Sequence, residues 1–154
     1  MGERRQSRGP VSDADARVRD SFSKQAFMGL LGASLGRVAP GEVDVELPFR
    51  ADLLQQHGYL HAGVTTAIAD SACGYAALSL MPADAAVLSV EYKVNLLAPA
   101  KGRRFLAHGR VVKSGRTVTV VRGEVLAFDD QGDARPVLVL LGTMITALGR
   151  GIVD

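Results

Sequence analysis

Tryptophan is absent, aromatic residues make up only 5% of the chain, and Cys73 is the single cysteine. One thiol excludes a disulfide framework and a cysteine-rich zinc site, and makes a reducing cytoplasm the expected compartment. Long hydrophobic runs are missing too. The opening stretch MGERRQSRGPVSDADARVRD holds no apolar segment of the kind a secretory signal needs, and Gln6 breaks the myristoylation pattern. The longest apolar-looking stretch, Ala62 to Met81, is mostly Ala, Gly, Ser and Thr and carries Asp70 near its middle. A membrane span would hold Leu and Ile there, so the stretch predicts a buried helix of a soluble protein, with no membrane partner.

What is present bounds the rest. The 154 residues, 47% of them hydrophobic, suffice for one domain with a real core and exclude a disordered chain. Residues 1–11 are polar and Arg-rich and are expected to be flexible, with a single domain over 12–150. Ser12, Asp13 and Asp15 form a helix start, and Val18, Phe22, Ala26, Phe27, Leu30 and Leu31 continue it to Gly29 or Gly32. Two short strands follow, Ala33 to Val38 and Glu42 to Phe49, split by Pro40-Gly41. The small-residue helix comes next, ended by Met81-Pro82. Four strands then run over Val87 to Leu97, Arg103 to Lys113, Arg116 to Phe128 and Pro136 to Ala147. Turns at Lys113–Arg116 and Asp129–Asp133 make hairpins of the last three. The order predicts an α+β fold, an antiparallel sheet wrapped round one central helix.

The chemistry concentrates in that helix. Gly63, Thr66, Ala67, Asp70, Cys73, Gly74 and Ala77 recur three or four residues apart, giving a face of small groups around one carboxylate. An acid amid apolar residues needs partners or a task, and either reading fits the helix alone. Gly63 at the helix start tilts the balance, because first-turn N–H groups favour negative charge. An oxyanion-holding helix terminus and a water-activating carboxylate are the two components of acyl-transfer hydrolysis, and a thiol is an easy leaving group. Gly63 and Asp70 lie about 10 Å apart along the axis at 1.5 Å per residue. A site assembled across a two-fold interface, with Gly63 from one chain and Asp70 from its mate, resolves that separation.

The run His61-Ala62-Gly63…Asp70, followed by Ser89-Val90-Glu91-Tyr92-Lys93-Val94-Asn95-Leu96-Leu97-Ala98-Pro99-Ala100 and the turn Lys113-Ser114-Gly115-Arg116, resembles the hotdog-fold acyl-CoA thioesterases of the phenylacetate-pathway (PaaI-like) type. The likeness spans roughly residues 20 to 148. It implies a hotdog fold and edge-to-edge pairing into dimers or dimers of dimers. It also implies an acyl-CoA substrate and no cofactor or metal. Carried over, it implies that Gly63 supplies the oxyanion-hole N–H, Asp70 is general base or nucleophile, and Ser89 positions water. Gln55 stands where many members have an Asn, and Ala62 stands where His-Gly-Gly is usual. These two departures leave a non-catalytic acyl-CoA-binding hotdog protein as the alternative.

Other candidates are plainer. His57 and His61 are four apart, but His57-Gly58 breaks the helix, so His61 is expected to shape the turn and to touch substrate. Cys73 reads as core, Tyr59 and Tyr75 as pocket lining or packing. Lys101, Arg103, Arg104, Arg110, Lys113, Arg116 and Arg122 are seven bases without an intervening acid in a chain of net charge +2. They predict one cationic hairpin, either a solvated sheet edge or a site for the phosphates of coenzyme A, with Lys113 and Arg116 foremost. Nucleic acid ranks below that, given the few aromatics and no recognised module.

Overall fold

The computed structural model describes residues 13–149, 151, 152 and 154. The Ser12 cap and the N-terminal segment lie outside the described residues. Helix α1 (Asp13–Lys24) carries its acids, Asp13 and Asp15, in the first turn, and Asp15 pairs with Arg19 one turn on. A second short helix, α2 (Ala26–Leu31), ends on Gly32 in the left-handed region (φ 75°). The expected single helix is therefore two. Gln25 between them is extended in ψ, and this break absorbs the phase slip from Phe22 to the doubled pairs Ala26-Phe27 and Leu30-Leu31.

Six antiparallel strands form one sheet: β1 (Ser34–Ala39), β2 (Glu42–Pro48), β3 (Ala86–Leu96), β4 (Arg104–Ser114), β5 (Val118–Phe128) and β6 (Ala134–Ala147). Their order is β1-β2-β4-β5-β6-β3. Period-two alternation sets the inner face, with Val43, Val45 and Leu47 buried on β2. The same holds for Phe105 and Ala107 on β4 and for Val121 and Val125 on β5. Helix α3 (Ala62–Leu78) crosses this face, packed against five of the six strands. The arrangement is the hotdog fold.

Small residues make that crossing possible. Gly109 and Gly123 face each other across β4 and β5 beneath α3. A Cβ at Gly109 would run into the backbone of Ala72 and Cys73, and one at Gly123 would lie 2.9 Å from Cys73 Sγ. The sheet backbone thus touches the helix backbone at Gly109, and Gly123 makes room for the Cys73 side chain. The helix stops at Leu78, three residues before the expected end, because Ser79 caps it and its hydroxyl accepts the Gly41 N–H at 2.8 Å. Arg17 of α1 completes the end by donating to the carbonyls of Leu78, Met81 and Pro82.

The two sheet edges differ. Helix α1 packs against β1, whereas β3 is an uncovered edge bearing exposed Leu88, Val90, Tyr92 and Leu96.

Candidate active site

The small-residue stripe of α3 does not stay on one side. Cys73 and Ala77 are fully buried, while Gly63, Thr66, Ala67, Asp70 and Gly74 are partly or wholly open. At about 100° per residue the stripe spans roughly a third of the helix circumference, so Cys73 and Ala77 fall on its sheet side and Gly74 on its open side.

Asp70 is half-buried, and Ser89 of β3 donates a 2.7 Å hydrogen bond to its Oδ1. A bulge at Val90 interrupts the β3–β6 register beside Ser89, which pairs with Met144 on the inner face. Burial pushes the Asp70 carboxyl above its ordinary range, and the Ser89 hydrogen bond opposes this in part. Asp70 lines an open groove of about 550 Å³ together with Gly63, Gln25, Phe27, Met28 and Tyr92. Cys73, one turn on, is buried, and desolvation, with Asp70 nearby, pushes its thiol up to about 12. It is core, as expected.

A separate chamber of about 540 Å³ sits at the start of α3, lined by Gln55, Tyr59, His61, Ala62, Leu96 and Pro99 among others. The loop before α3 folds back on itself: Leu54 bridges Leu60, and the Gln55 side-chain oxygen accepts the His57 N–H. Gln55 Nε2 has no acceptor among the described residues. His61 caps the helix, its Nδ1 accepting the Gly63 N–H at 2.9 Å, while its carbonyl accepts from Val64 and Thr65. The Gly63 amide, expected to be free, is therefore engaged, because an imidazole two residues earlier reaches it. The neighbouring Ala62 N–H meets no acceptor among the described residues. His57 lies in the preceding turn and His61 at the cap, so the pair does not share a helix face.

The seven bases do not form one hairpin patch. They run from the loop before β4 (Lys101, Arg103) along β4 (Arg104, Arg110, Lys113) and through the turn (Arg116) to the middle of β5, where Arg122 lies opposite Arg110. Arg104 lies over the Phe128 ring, 3.6 Å from its centroid, and Arg103 pairs with Asp130. Lys113 and Arg116 sit at the α3 C-terminal end, beyond Val111, whose N–H donates to Gly41. Gln55, His61 and Ala62 sit at the other end, where Leu60 N–H donates to Ala100. Seventeen helical residues, about 25 Å, separate these ends. Tyr75 packs on Phe22, while Tyr59 lines the N-terminal chamber.

The thioesterase superfamily profile matches residues 57–134, half of the chain, and spans both the α3 cap and the Asp70–Ser89 pair. The chain belongs to the thioesterase superfamily. Its chemistry is that of a thioester hydrolase. A Halobacterium salinarum protein provisionally assigned as an esterase is 30% identical over 137 residues, covering 86% of this chain and 90% of its own. A thioesterase family protein from Silicibacter pomeroyi is similar in structure, with TM-score 0.87 and 47% identity over 88% of this chain and 99% of that one. The E. coli PaaI protein of the phenylacetic acid degradation operon shares the fold, with TM-score 0.78 and 21% identity over 90% of this chain and 96% of its own. This superfamily member thus shares the hotdog fold of the PaaI protein. Among the described residues no helix is long and apolar enough to cross a membrane, and no cluster of three or more His, Cys, Asp or Glu is arranged for a metal ion.

Sequence reading missed Gln25, Phe27 and Tyr92, which wall the Asp70 groove. The doubled apolar pairs around Gln25 carried the signal of a helix break. Tyr92 was legible only as a strand residue, because its approach to Asp70 depends on where β3 sits in the sheet.

Proposed function

We propose that the protein hydrolyses acyl- or aryl-CoA thioesters to the free acid and CoA thiol, as a homo-oligomer built on edge-to-edge dimers. The carrying observation is Asp70, a half-buried carboxylate held by Ser89 on the wall of a groove faced with Phe27, Met28 and Tyr92. The exposed apolar edge of β3 supports pairing with a second copy. On one chain the Gln55–His61–Ala62 chamber and Asp70 line different cavities. Antiparallel pairing of two β3 edges reverses one subunit, carrying its Asp70 toward the other's α3 N-terminus.

In that arrangement the thioester oxygen meets the α3 N-terminus, where the Ala62 N–H is open, the Gly63 N–H is released when the His61 ring turns away, and Gln55 Nε2 is a further donor. Asp70 takes a proton from water as the water oxygen bonds to the carbonyl carbon, with Ser89 holding the carboxylate. The helix-terminal N–H groups stabilise the oxyanion. Collapse breaks the C–S bond, and the proton passes to the thiolate. The same pairing brings the partner's hairpin to this end, so Lys113 and Arg116 serve the CoA phosphates across the dimer. The test is release of free CoA thiol from short, medium and aryl acyl-CoAs. Turnover supports the reading, whereas retention on immobilised CoA without turnover supports a binding protein.

A further inference from the structure

A smaller cavity of about 120 Å³ adjoins the open groove, walled by Gln25, Ser71, Tyr75, Ser89, Asp154 and Asp70. Asp70, Gln25 and Ser71 are walls of both cavities. The carboxylate therefore stands between an apolar groove and a polar recess. Ser71 Oγ donates to Gln25 Oε1 at 3.1 Å, and Gln25 Nε2 donates to the Tyr75 hydroxyl at 3.5 Å. Asp154 closes the far side, its Oδ2 accepting the Val87 N–H at 2.7 Å and its Oδ1 lying 3.1 Å from Ser21 Oγ. Unused capacity faces this wall. Asp70 Oδ2 accepts nothing among the described residues, and Gln25 has a second Nε2 proton.

A recess of this size has room for about four waters at roughly 30 Å³ each, and its polar walls offer the partners that ordered water needs. An acyl chain entering it would strand those polar groups, so substrate belongs in the groove against Phe27, Met28 and Tyr92. With acyl chain in the groove, the recess is the polar side of Asp70 left to water, and each hydrolysis consumes one water molecule. We propose that the recess is the water store of the hydrolytic site, and that Gln25, at the break between α1 and α2, is the positioning residue that orders its water toward Asp70. This rests on Asp70 as the general base. One stored water bonds through its oxygen to the acyl carbon and gives a proton to Asp70; the C–S bond then breaks, and Asp70 passes that proton to the departing thiolate.

A crystal structure and the variant Gln25→Leu test this together. At least two ordered waters in the recess are expected, one on Asp70 Oδ2. Gln25→Leu is expected to lower kcat about tenfold or more while KM stays within about twofold, since the apolar groove walls Phe27, Met28 and Tyr92 remain. Ser71→Ala, which frees the Gln25 side chain and takes one hydroxyl from the recess wall, is expected to lower kcat several-fold at constant KM, and it decides the matter if Gln25→Leu does not fold. Wild-type kcat in the folded variants, or kcat and KM moving together, overturns the proposal. An active wild type with a dry recess refutes this inference alone, whereas a wild type that releases no thiol refutes the general-base reading beneath it.

Discussion

The Ser89 hydroxyl donates to Asp70 Oδ1 at 2.7 Å, joining the uncovered strand β3 to the middle of α3. Because the bond favours the ionised carboxylate, Ser89 both aims Asp70 and keeps it charged. Ser89→Ala is expected to lower kcat roughly 10- to 100-fold, the weight of about 1.5–3 kcal/mol for a hydrogen bond to a charged group. Steady-state kinetics with an acyl-CoA checks this, and a wild-type kcat would separate Ser89 from the chemistry.

Burial raises Asp70 above the ordinary 3.8 of an aspartate. The base works only when ionised, so kcat should fall on acidification with a midpoint above that ordinary value. Ser89→Ala should move the midpoint higher still. The stability sign is opposite: a folded-state value above the unfolded one means the ionised carboxylate destabilises the fold at neutral pH. Asp70→Asn should therefore raise Tm near pH 7, and the gain should vanish below the ordinary aspartate range, where both states are protonated. A Tm gain independent of pH contradicts the assignment.

Gly109 and Gly123 seat α3, but unequally. Gly109→Ala sets a methyl against the backbone of Ala72 and Cys73, which cannot yield, and should cost about 3 kcal/mol or more. Gly123→Ala meets Cys73 Sγ at 2.9 Å, a side-chain atom, and should cost about 1–2 kcal/mol. Urea unfolding of both ranks them, and equal losses would mean that α3 shifts as a unit.

Arg17 spans the carbonyls of Leu78, Met81 and Pro82 at the end of α3, far from Asp70 along the helix. Arg17→Ala is expected to lose about 2–3 kcal/mol of stability and to leave kcat of the folded protein unchanged. Arg17→Lys should restore only part of the loss, since one ammonium cannot reach three carbonyls as a guanidinium does. Thermal melts with kinetics below Tm measure both effects.

The sheet was legible because alternation on β2 and the turn residues at Lys113–Arg116 and Asp129–Asp133 are local signals. Asp70 stood out as the acid inside a run of Ala, Gly, Ser and Thr. The break at Gln25 was not read, since Val18, Phe22 and Leu30 keep near-helical spacing through it. The engagement of Gly63 was hidden too: a cap from His61 Nδ1 depends on a side-chain rotamer, not on spacing. The dispersal of the seven bases needed the pairing of β4 with β5, because sequence adjacency says nothing of which strand end a residue occupies.

The most direct measurement is kcat for CoA-thiol release at saturating acyl-CoA, comparing wild type with Asp70→Asn. The account predicts a fall of about 10²- to 10⁴-fold, with binding of the acyl-CoA retained and the fold at least as stable. An Asp70→Asn protein that turns over thioester at the wild-type rate would contradict it.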